Sequence, residues 1–179
     1  MDVLDLIKNR RSVRDYSEKK VEKNKLLKIL EAGRWSPSSG NVQNWRFIAV
    51  DEDRKKMQIA EACLGQYWLT SVPVIIIVAS DDSKLRMLFG QRGENVYSIQ
   101  NCSVAIENMM LEAESINLAS CWVGAYDEEK LLRILKIEDP NISIRGLVAI
   151  GYSKGKQPTP SRISLDKIVF FNEYGNKEI

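Results

Sequence analysis

The chain has 179 residues, with 26 lysines and arginines, 24 aspartates and glutamates, and no histidine. The formal net charge of +2 is too small for a protein that coats nucleic acid or an anionic membrane, so affinity for anions must come from local clusters. Without histidine, Ser-His-Asp and Cys-His catalysis and the commonest metal sites are excluded, which leaves carboxylates, lysines or a bound cofactor to supply chemistry.

The length predicts a single domain over residues 1–179. We recognise no signal peptide and no apolar run near the roughly 18 residues of a membrane span, so no membrane contact is expected. The three cysteines, Cys63, Cys102 and Cys121, are widely spaced and match no zinc or redox motif. A reducing cytoplasm is therefore the expected compartment, with all three thiols in the core.

Up to residue 79, the spacing of apolar residues predicts five elements. They are a helix over 2–9 with Asp2 as its N-cap, a helix over 22–34, a strand over 45–50, a helix over 54–64 and a strand over 74–79. The last of these is apolar throughout, which is typical of a strand covered on both faces. The polar segment that follows, 80–95, is a candidate for a mobile flap over a site.

The second half of the chain is dominated by a long helix predicted over 96–118. Its apolar residues form a seam suited to the centre of a core or of a dimer: Ile99, Cys102, Ile106, Met109, Ala113 and Ile116. The remaining predictions are a strand over 120–125, a helix over 128–136 capped by Asp127, a strand over 147–150 and an apolar segment over 165–171. This order predicts an α+β fold with a central mixed β-sheet flanked by helices.

A cationic cluster follows the first predicted helix directly. It consists of Arg10, Arg11, Ser12 and Arg14. Guanidinium groups and a hydroxyl suit a phosphate, which accepts charge-assisted bidentate hydrogen bonds. The alternative is that these cations are solvated and only stabilise the carboxyl end of the helix.

Two other segments carry residues that suit a ligand. We call residues 36–43 the ring loop; its small residues allow close backbone approach, and its amides can bind a heterocycle. Residues 121–125 form a strand end with glycine, whose backbone N–H groups can reach a ring nitrogen. Taken singly, the two segments are better explained as an ordinary helix-to-strand loop and as a strand end that requires glycine.

Together and in this order, these segments resemble the nitroreductase family. The resemblance lies in residues 10–14 as a flavin-phosphate motif, the ring loop as a flavin-ring contact, residues 117–129 as a helix–strand–glycine segment, and Arg162 as a C-terminal phosphate arginine. It spans nearly the whole chain. The chain departs from the family pattern at Asn44, where proline is usual, at Asn101, where aspartate is common, and at Gly65 and Pro160.

The resemblance implies a nitroreductase-like dimer that shares two bound FMN molecules between its subunits. Around the phosphate it implies Arg10, Arg11, Ser12 and Arg162. Arg14 is expected at the N1–C2=O edge of the ring, where a guanidinium stabilises the negative charge of reduced flavin. The remaining contacts implied are Pro37, Ser38, Ser39 and Asn41 to the other subunit's flavin, Gln66 at the pyrimidine edge, and Val123, Gly124 and Ala125 near N5.

The implied activity is NAD(P)H oxidation with ping-pong transfer of electrons to nitroaromatics, quinones or similar conjugated acceptors. The resemblance implies no catalytic side chain and no metal, because the flavin performs the chemistry. It also implies that the seam over 96–118 fits a dimer core and that a tail over about 163–179 packs on the partner subunit. The alternatives are a flavin sensor or carrier without turnover, a dehalogenase-like or flavin-fragmenting member of the same fold, and an anion- or nucleic-acid-binding protein.

Overall fold

Over residues 2–178, the part of the chain that the computed structural model describes, seven α-helices accompany four strands. The helices are α1 (Val3–Asn9), α2 (Lys23–Arg34), α3 (Asp53–Ala62), α4 (Ser83–Arg92), α5 (Ser98–Ser115), α6 (Glu128–Leu135) and α7 (Leu165–Ile168). The strands are β1 (Trp45–Val50), β2 (Val74–Asp81), β3 (Ala119–Val123) and β4 (Ile142–Gly151). None of these helices is long and apolar enough to cross a bilayer.

The strands form one sheet in the order β1-β2-β4-β3, and each neighbouring pair is antiparallel. The α+β class and the flanking helices are confirmed, but the prediction of a mixed sheet is wrong for these four strands. Apolar periodicity reports which faces of a strand are buried and carries no information about its direction. Outside the four strands, Ser12 forms an isolated parallel bridge with Ser120, at the edge of β3.

The sheet separates two apolar cores. Ile77 of β2 and Leu147 of β4 face α3 and α6, whereas Ile76 and Val148 face α2 and α5. All four side chains are 0% exposed, and each such burial stabilises the fold by about 1.5–3 kcal/mol relative to an exposed side chain. The central strands are therefore covered on both faces, as the continuous apolar run of β2 predicts.

The apolar seam of α5 belongs to the second core rather than to a surface. Cys102, Ile106, Met109 and Ala113 are fully buried within their own chain, while Ile99 is 45% exposed. The interpretation of this seam as a dimer core is therefore wrong for those four residues. Their periodicity records packing of α5 against α2 and the sheet, because any apolar environment produces the same pattern.

A β-bulge interrupts β4 opposite the end of β2. Gly146 faces Val78 and Ile144 faces Ala79, which leaves Arg145 as an extra residue between the two pairs. A bulge changes which face the following residues occupy. It directs Arg145 towards α5, where the guanidinium Nε donates to the Ser98 hydroxyl at 3.2 Å.

The candidate flap segment, 80–95, is largely helical. Its first two residues complete β2, α4 spans Ser83–Arg92, and Gly90, with a φ of 58°, interrupts the helix near its end. Among the residues of α4, Leu85 is the buried one, so the helix lacks the apolar stripe by which sequence periodicity would reveal it. Movement of this helix over a site stays a prediction.

The cysteines provide a first test of the packing. Cys63, Cys102 and Cys121 are free and buried, and burial raises the pKa of Cys63 to about 11 and that of Cys102 to about 12. At pH 8 the native protein should therefore react with dithionitrobenzoate far more slowly than the protein in guanidinium chloride, because thiolate is the reacting species. Rapid reaction of a native thiol would contradict this arrangement of the core.

Candidate functional site

After α1 the chain runs in an extended conformation along the outer edge of β3. Ser12 bridges to Ser120 in parallel, and the backbone N–H of Val13 donates to the Ser120 carbonyl at 3.0 Å. Alternate residues of an extended segment point to opposite sides. Val13 enters the core with 4% exposure, so Arg10, Ser12 and Arg14 lie together on the opposite side.

The pKa of Cys121 on β3 reports this cluster. Burial raises the pKa of its thiol, while Arg14, Arg10 and a hydrogen bond with Ser12 lower it, in that order of influence. Two guanidinium groups and a hydroxyl therefore influence the same thiol on the strand. Arg10 also lies 3.8 Å from the carboxylate of Glu107 on α5, a loose pairing that leaves guanidinium donors for another anion.

The two remaining arginines of the predicted phosphate site point elsewhere in this structure. Arg11 donates to the Arg10 carbonyl at 2.8 Å and to the Thr159 hydroxyl at 2.6 Å, so it tethers the C-terminal segment. Arg162, three residues further on, is exposed and donates to the Ser161 carbonyl at 3.0 Å.

The predicted contacts at the other end of β3 are brought together. The Gln66 side-chain amide donates to the Ala125 carbonyl at 3.2 Å and to the Cys63 carbonyl at 3.0 Å. Val123 is buried and pairs with Leu147, and the chain then leaves the sheet at an exposed Gly124. A Cβ built on Gly124 meets nothing within 4 Å, so its backbone borders open space.

The ring loop has an unusual backbone. Gly40, Asn41 and Gln43 all have positive φ, at 57°, 53° and 54°, and a short 3₁₀ turn spans Ser39–Asn41. Glycine adopts this conformation freely and asparagine tolerates it, which explains those two residue types. Pro37 and Asn41 are exposed and Ser38 is half-buried, with its hydroxyl accepting from the Gln43 backbone N–H at 3.0 Å.

The ring loop does not meet the other two segments within its own chain. No hydrogen bond or ion pair in the described part of the chain joins residues 36–43 to residues 10–14 or 123–125. The loop is instead held by α5: the Asn108 amide donates to the Ser36 hydroxyl at 2.8 Å, and the Asn101 oxygen accepts from the Ser39 backbone N–H at 3.0 Å. Asn101 continues into a buried polar network that sequence analysis missed, although it singled out Asn101 and Asn44 as unusual.

The residues at β3 fit FMN. Cys121 and Gly124 are three positions apart, which corresponds to about 10 Å along a strand. A ligand with an anionic end and a flat end can therefore contact both the arginine cluster and the open strand end. Guanidinium groups and a hydroxyl suit the phosphate, and backbone next to open space suits the edge of a ring. The donor set is therefore appropriate for this cofactor at both ends.

Comparison with known proteins supports the resemblance. The Nitroreductase family model matches residues 7–72 and 60–152. A protein of Archaeoglobus fulgidus, provisionally assigned as an NADH dehydrogenase/NAD(P)H nitroreductase, is 31% identical over 159 residues, covering 87% of this chain and 88% of that protein. An NAD(P)H-dependent FMN reductase of Bacillus subtilis strain 168 is 24% identical over 190 residues, covering 99% of this chain and 76% of that protein.

A solved structure agrees over almost the entire length. The FMN-dependent nitroreductase of Clostridium difficile R20291 superposes with a TM-score of 0.82 and 28% identity, covering 96% of this chain and 99% of that one. The family model matches well over half of the chain, and the fold, the order of the motifs and the relatives all agree. The chain therefore belongs to the nitroreductase family.

Proposed function

We propose that this protein is an FMN-dependent NAD(P)H oxidoreductase that passes electrons by a ping-pong mechanism to nitroaromatics, quinones or similar conjugated acceptors. The observation that carries the proposal is the alignment of Arg10, Ser12 and Arg14 on one side of the β3 edge, with the open backbone of Gly124 at the end of the same strand. FMN appears in the names of the Bacillus subtilis and Clostridium difficile relatives.

Each group of residues has a separate task. Bound FMN supplies the hydride and electron transfer, so the protein needs no titrating nucleophile. Arg10 and Ser12 hold the phosphate, Arg11 contributes from beside them and Arg162 from the C-terminal segment, and Arg14 stabilises negative charge at the ring. Backbone N–H groups at Gly124 and Ala125 orient the reactive edge, and Gln66 fixes that strand end through the Ala125 carbonyl at 3.2 Å.

We also propose a homodimer, because two apolar surfaces are uncovered. No residue of α1 is buried, and Val3, Leu4 and Ile7 are 64%, 51% and 48% exposed. Exposed apolar patches of this kind mark interaction sites. A second subunit that covers α1 would also allow each ring loop to reach the other subunit's flavin.

The tail is the second uncovered surface. Leu165 is 73% exposed and Tyr174 is 93% exposed, although Phe170 and Tyr174 contact each other with ring centroids 4.6 Å apart. A groove of about 320 Å³ between α1, α2 and α5, lined in part by Leu6 and Leu111, offers apolar surface for such a segment. We place the partner's tail, of which residues 163–178 are described and residue 179 lies outside the described residues, across this side of the molecule.

Leu165→Glu should dissociate the dimer, because burying an unpaired carboxylate at an apolar contact is costly. Sedimentation velocity at micromolar concentration measures the change, with wild type sedimenting as a dimer and the variant shifted to monomer. Met57→Glu is the matched control, since Met57 on α3 is 45% exposed and lies outside the proposed interface. A variant at Leu165 that stays dimeric would exclude the tail from the contact.

The compartment is proposed from the cysteines. Cys63, Cys102 and Cys121 are all free, and no two of them are paired. Free thiols persist in the reducing cytoplasm, where we place the enzyme. Detection of the protein in the cytoplasmic fraction of cells checks this placement.

Anaerobic reduction tests the proposed function. Addition of NADH or NADPH to the FMN-loaded protein should bleach the flavin absorbance, and a nitroaromatic or a quinone should then restore it. Bound FMN that neither nucleotide bleaches would favour a flavin carrier or sensor. Protein that takes up no added FMN would overturn the proposal, and product identification over an acceptor panel would reveal dehalogenase-like chemistry.

A further inference from the structure

A buried polar network connects the ring loop to an ion pair near the end of the sheet. Asn101, on α5, accepts from the Ser39 backbone N–H at 3.0 Å and from the Ser39 hydroxyl at 3.3 Å, and its amide donates to the Asn44 oxygen at 2.8 Å. Asn44 in turn donates to the Ser98 hydroxyl at 3.2 Å. Asn101 is 4% exposed and Asn44 is 2% exposed, so water does not compete for these bonds.

The ion pair at the far end fixes the direction of every bond in the network. Ser98 donates its proton to the Asp82 carboxylate at 2.5 Å and accepts from the Asn44 amide at 3.2 Å. The single Nε proton of Arg145 is shared between the Ser80 hydroxyl at 2.8 Å and the Ser98 hydroxyl at 3.2 Å. A hydroxyl has one proton, so Ser98, which donates that proton to Asp82, can only accept from its other neighbours. Because Arg145 can only donate and ionised Asp82 can only accept, Asn44 must present its NH₂ group to Ser98.

The same constraint passes on to Asn101. With its NH₂ group committed, Asn44 presents an oxygen to Asn101, which must therefore donate there and turn its own oxygen to Ser39. A carboxylate at position 101 would place an acceptor against the Asn44 oxygen. The Asn44 amide cannot turn over to donate to that carboxylate, because its oxygen would then face the Ser98 oxygen, whose proton is donated to Asp82.

We infer that Asn101 is the positioning residue of the ring loop and that Asn44 and Asn101 are a matched pair, whose orientation is imposed by Asp82 and Arg145. The pair holds Ser39 in the backbone geometry in which the loop contacts FMN, so the inference rests on the proposed function. Asn101 itself acts only through Ser39. Positions 44 and 101 must therefore be changed together if the loop is to keep its geometry.

Asn101→Asp should raise the dissociation constant of FMN about tenfold or more at pH 8, because two buried acceptors then face each other. Titration of apoprotein with FMN, followed by flavin fluorescence, measures this constant. The charge control is Gln100→Glu, the same amide-to-acid change at the preceding, exposed position of α5, which should alter it less than about twofold.

Acidification separates positioning from general damage. When protonated, the new carboxyl donates to the Asn44 oxygen and reproduces the native pattern, so FMN affinity should recover towards pH 5 in Asn101→Asp and not in Gln100→Glu. The charged groups that face this site are Asp82 on the α4 side and Arg145 on β4, both through Ser98. Arg86 interacts with Asp82 and Glu94 with Arg145, while Glu107 lies further along α5 with Arg10.

A double-mutant cycle provides a second, FMN-independent measurement. Urea unfolding of apoprotein with Asn44→Ala, Asn101→Ala and both changes should be non-additive by more than about threefold in the equilibrium constant, because either change alone breaks the shared bond. Additive effects, or equal FMN affinity of wild type and Asn101→Asp at pH 8, would overturn the inference. Wild type that binds no FMN would instead refute the proposed function, while the unfolding cycle would still test the pair.

Discussion

Replacing Arg10 with glutamate is expected to weaken FMN binding by about a hundredfold or more. A hydrogen bond to a charged group contributes about 1.5–3 kcal/mol, and a hundredfold change corresponds to about 2.7 kcal/mol. The new carboxylate would also lie near Glu107, whose oxygen is 3.8 Å from the Arg10 guanidinium, and would repel a phosphate. Fluorescence titration of apoprotein with FMN at fixed ionic strength measures the loss.

Two further variants make this result specific. Arg54→Glu carries the same charge change on the exposed surface of α3 and should leave the affinity almost unchanged. Arg162→Glu tests the tail, which Arg11 brings close through its 2.6 Å contact with Thr159. If neither Arg10→Glu nor Arg162→Glu changed FMN affinity relative to Arg54→Glu, the assignment of the phosphate site would be wrong.

Sequence periodicity located most elements because burial imposes it. The strand Trp45–Val50 lies where the alternating pattern predicts it, and Asp127 caps α6 by accepting from the Lys130 backbone N–H at 3.0 Å. Asp2 is at the N-cap of α1 but makes no side-chain cap bond. Periodicity could not reveal α4, in which Leu85 is the buried residue. It could not give strand direction either, since burial is the same for parallel and antiparallel neighbours.

The candidate site was less accessible from sequence. Residues 10–14 were recognisable because their alternation and composition are local, and the bridge to Ser120 explains why that alternation matters. The polar network was not, because Asn44 is 54 positions from Ser98 and 57 from Asn101. The packing of α5 and the bulge at Arg145 bring these residues together only in the fold. Asn44 and Asn101 look like independent departures from a family pattern in the sequence, whereas in the fold they are hydrogen-bonded at 2.8 Å.

Asp82→Asn is expected to lower the free energy of unfolding by about 3–5 kcal/mol, the usual loss when one partner of a buried ion pair is removed. The Asp82 side chain is 1% exposed and that of Arg145 is 15% exposed, so the remaining guanidinium would lose its counter-charge in a site that water scarcely reaches. The Ser98 hydroxyl would also lose the carboxylate that accepts its proton. Urea unfolding of the apoprotein measures the change.

Two comparisons decide whether burial is the cause. Asp15→Asn makes the same substitution in an exposed pair, where Asp15 lies 3.5 Å from Lys154 and both side chains are more than half exposed, so its loss should stay below about 1 kcal/mol. Adding Arg145→Met to Asp82→Asn should recover part of the stability, because the uncompensated charge is then gone. If Asp82→Asn lost no more than Asp15→Asn, the buried pair would not stabilise the fold, and the orientation it imposes on Asn44 would have to come from elsewhere.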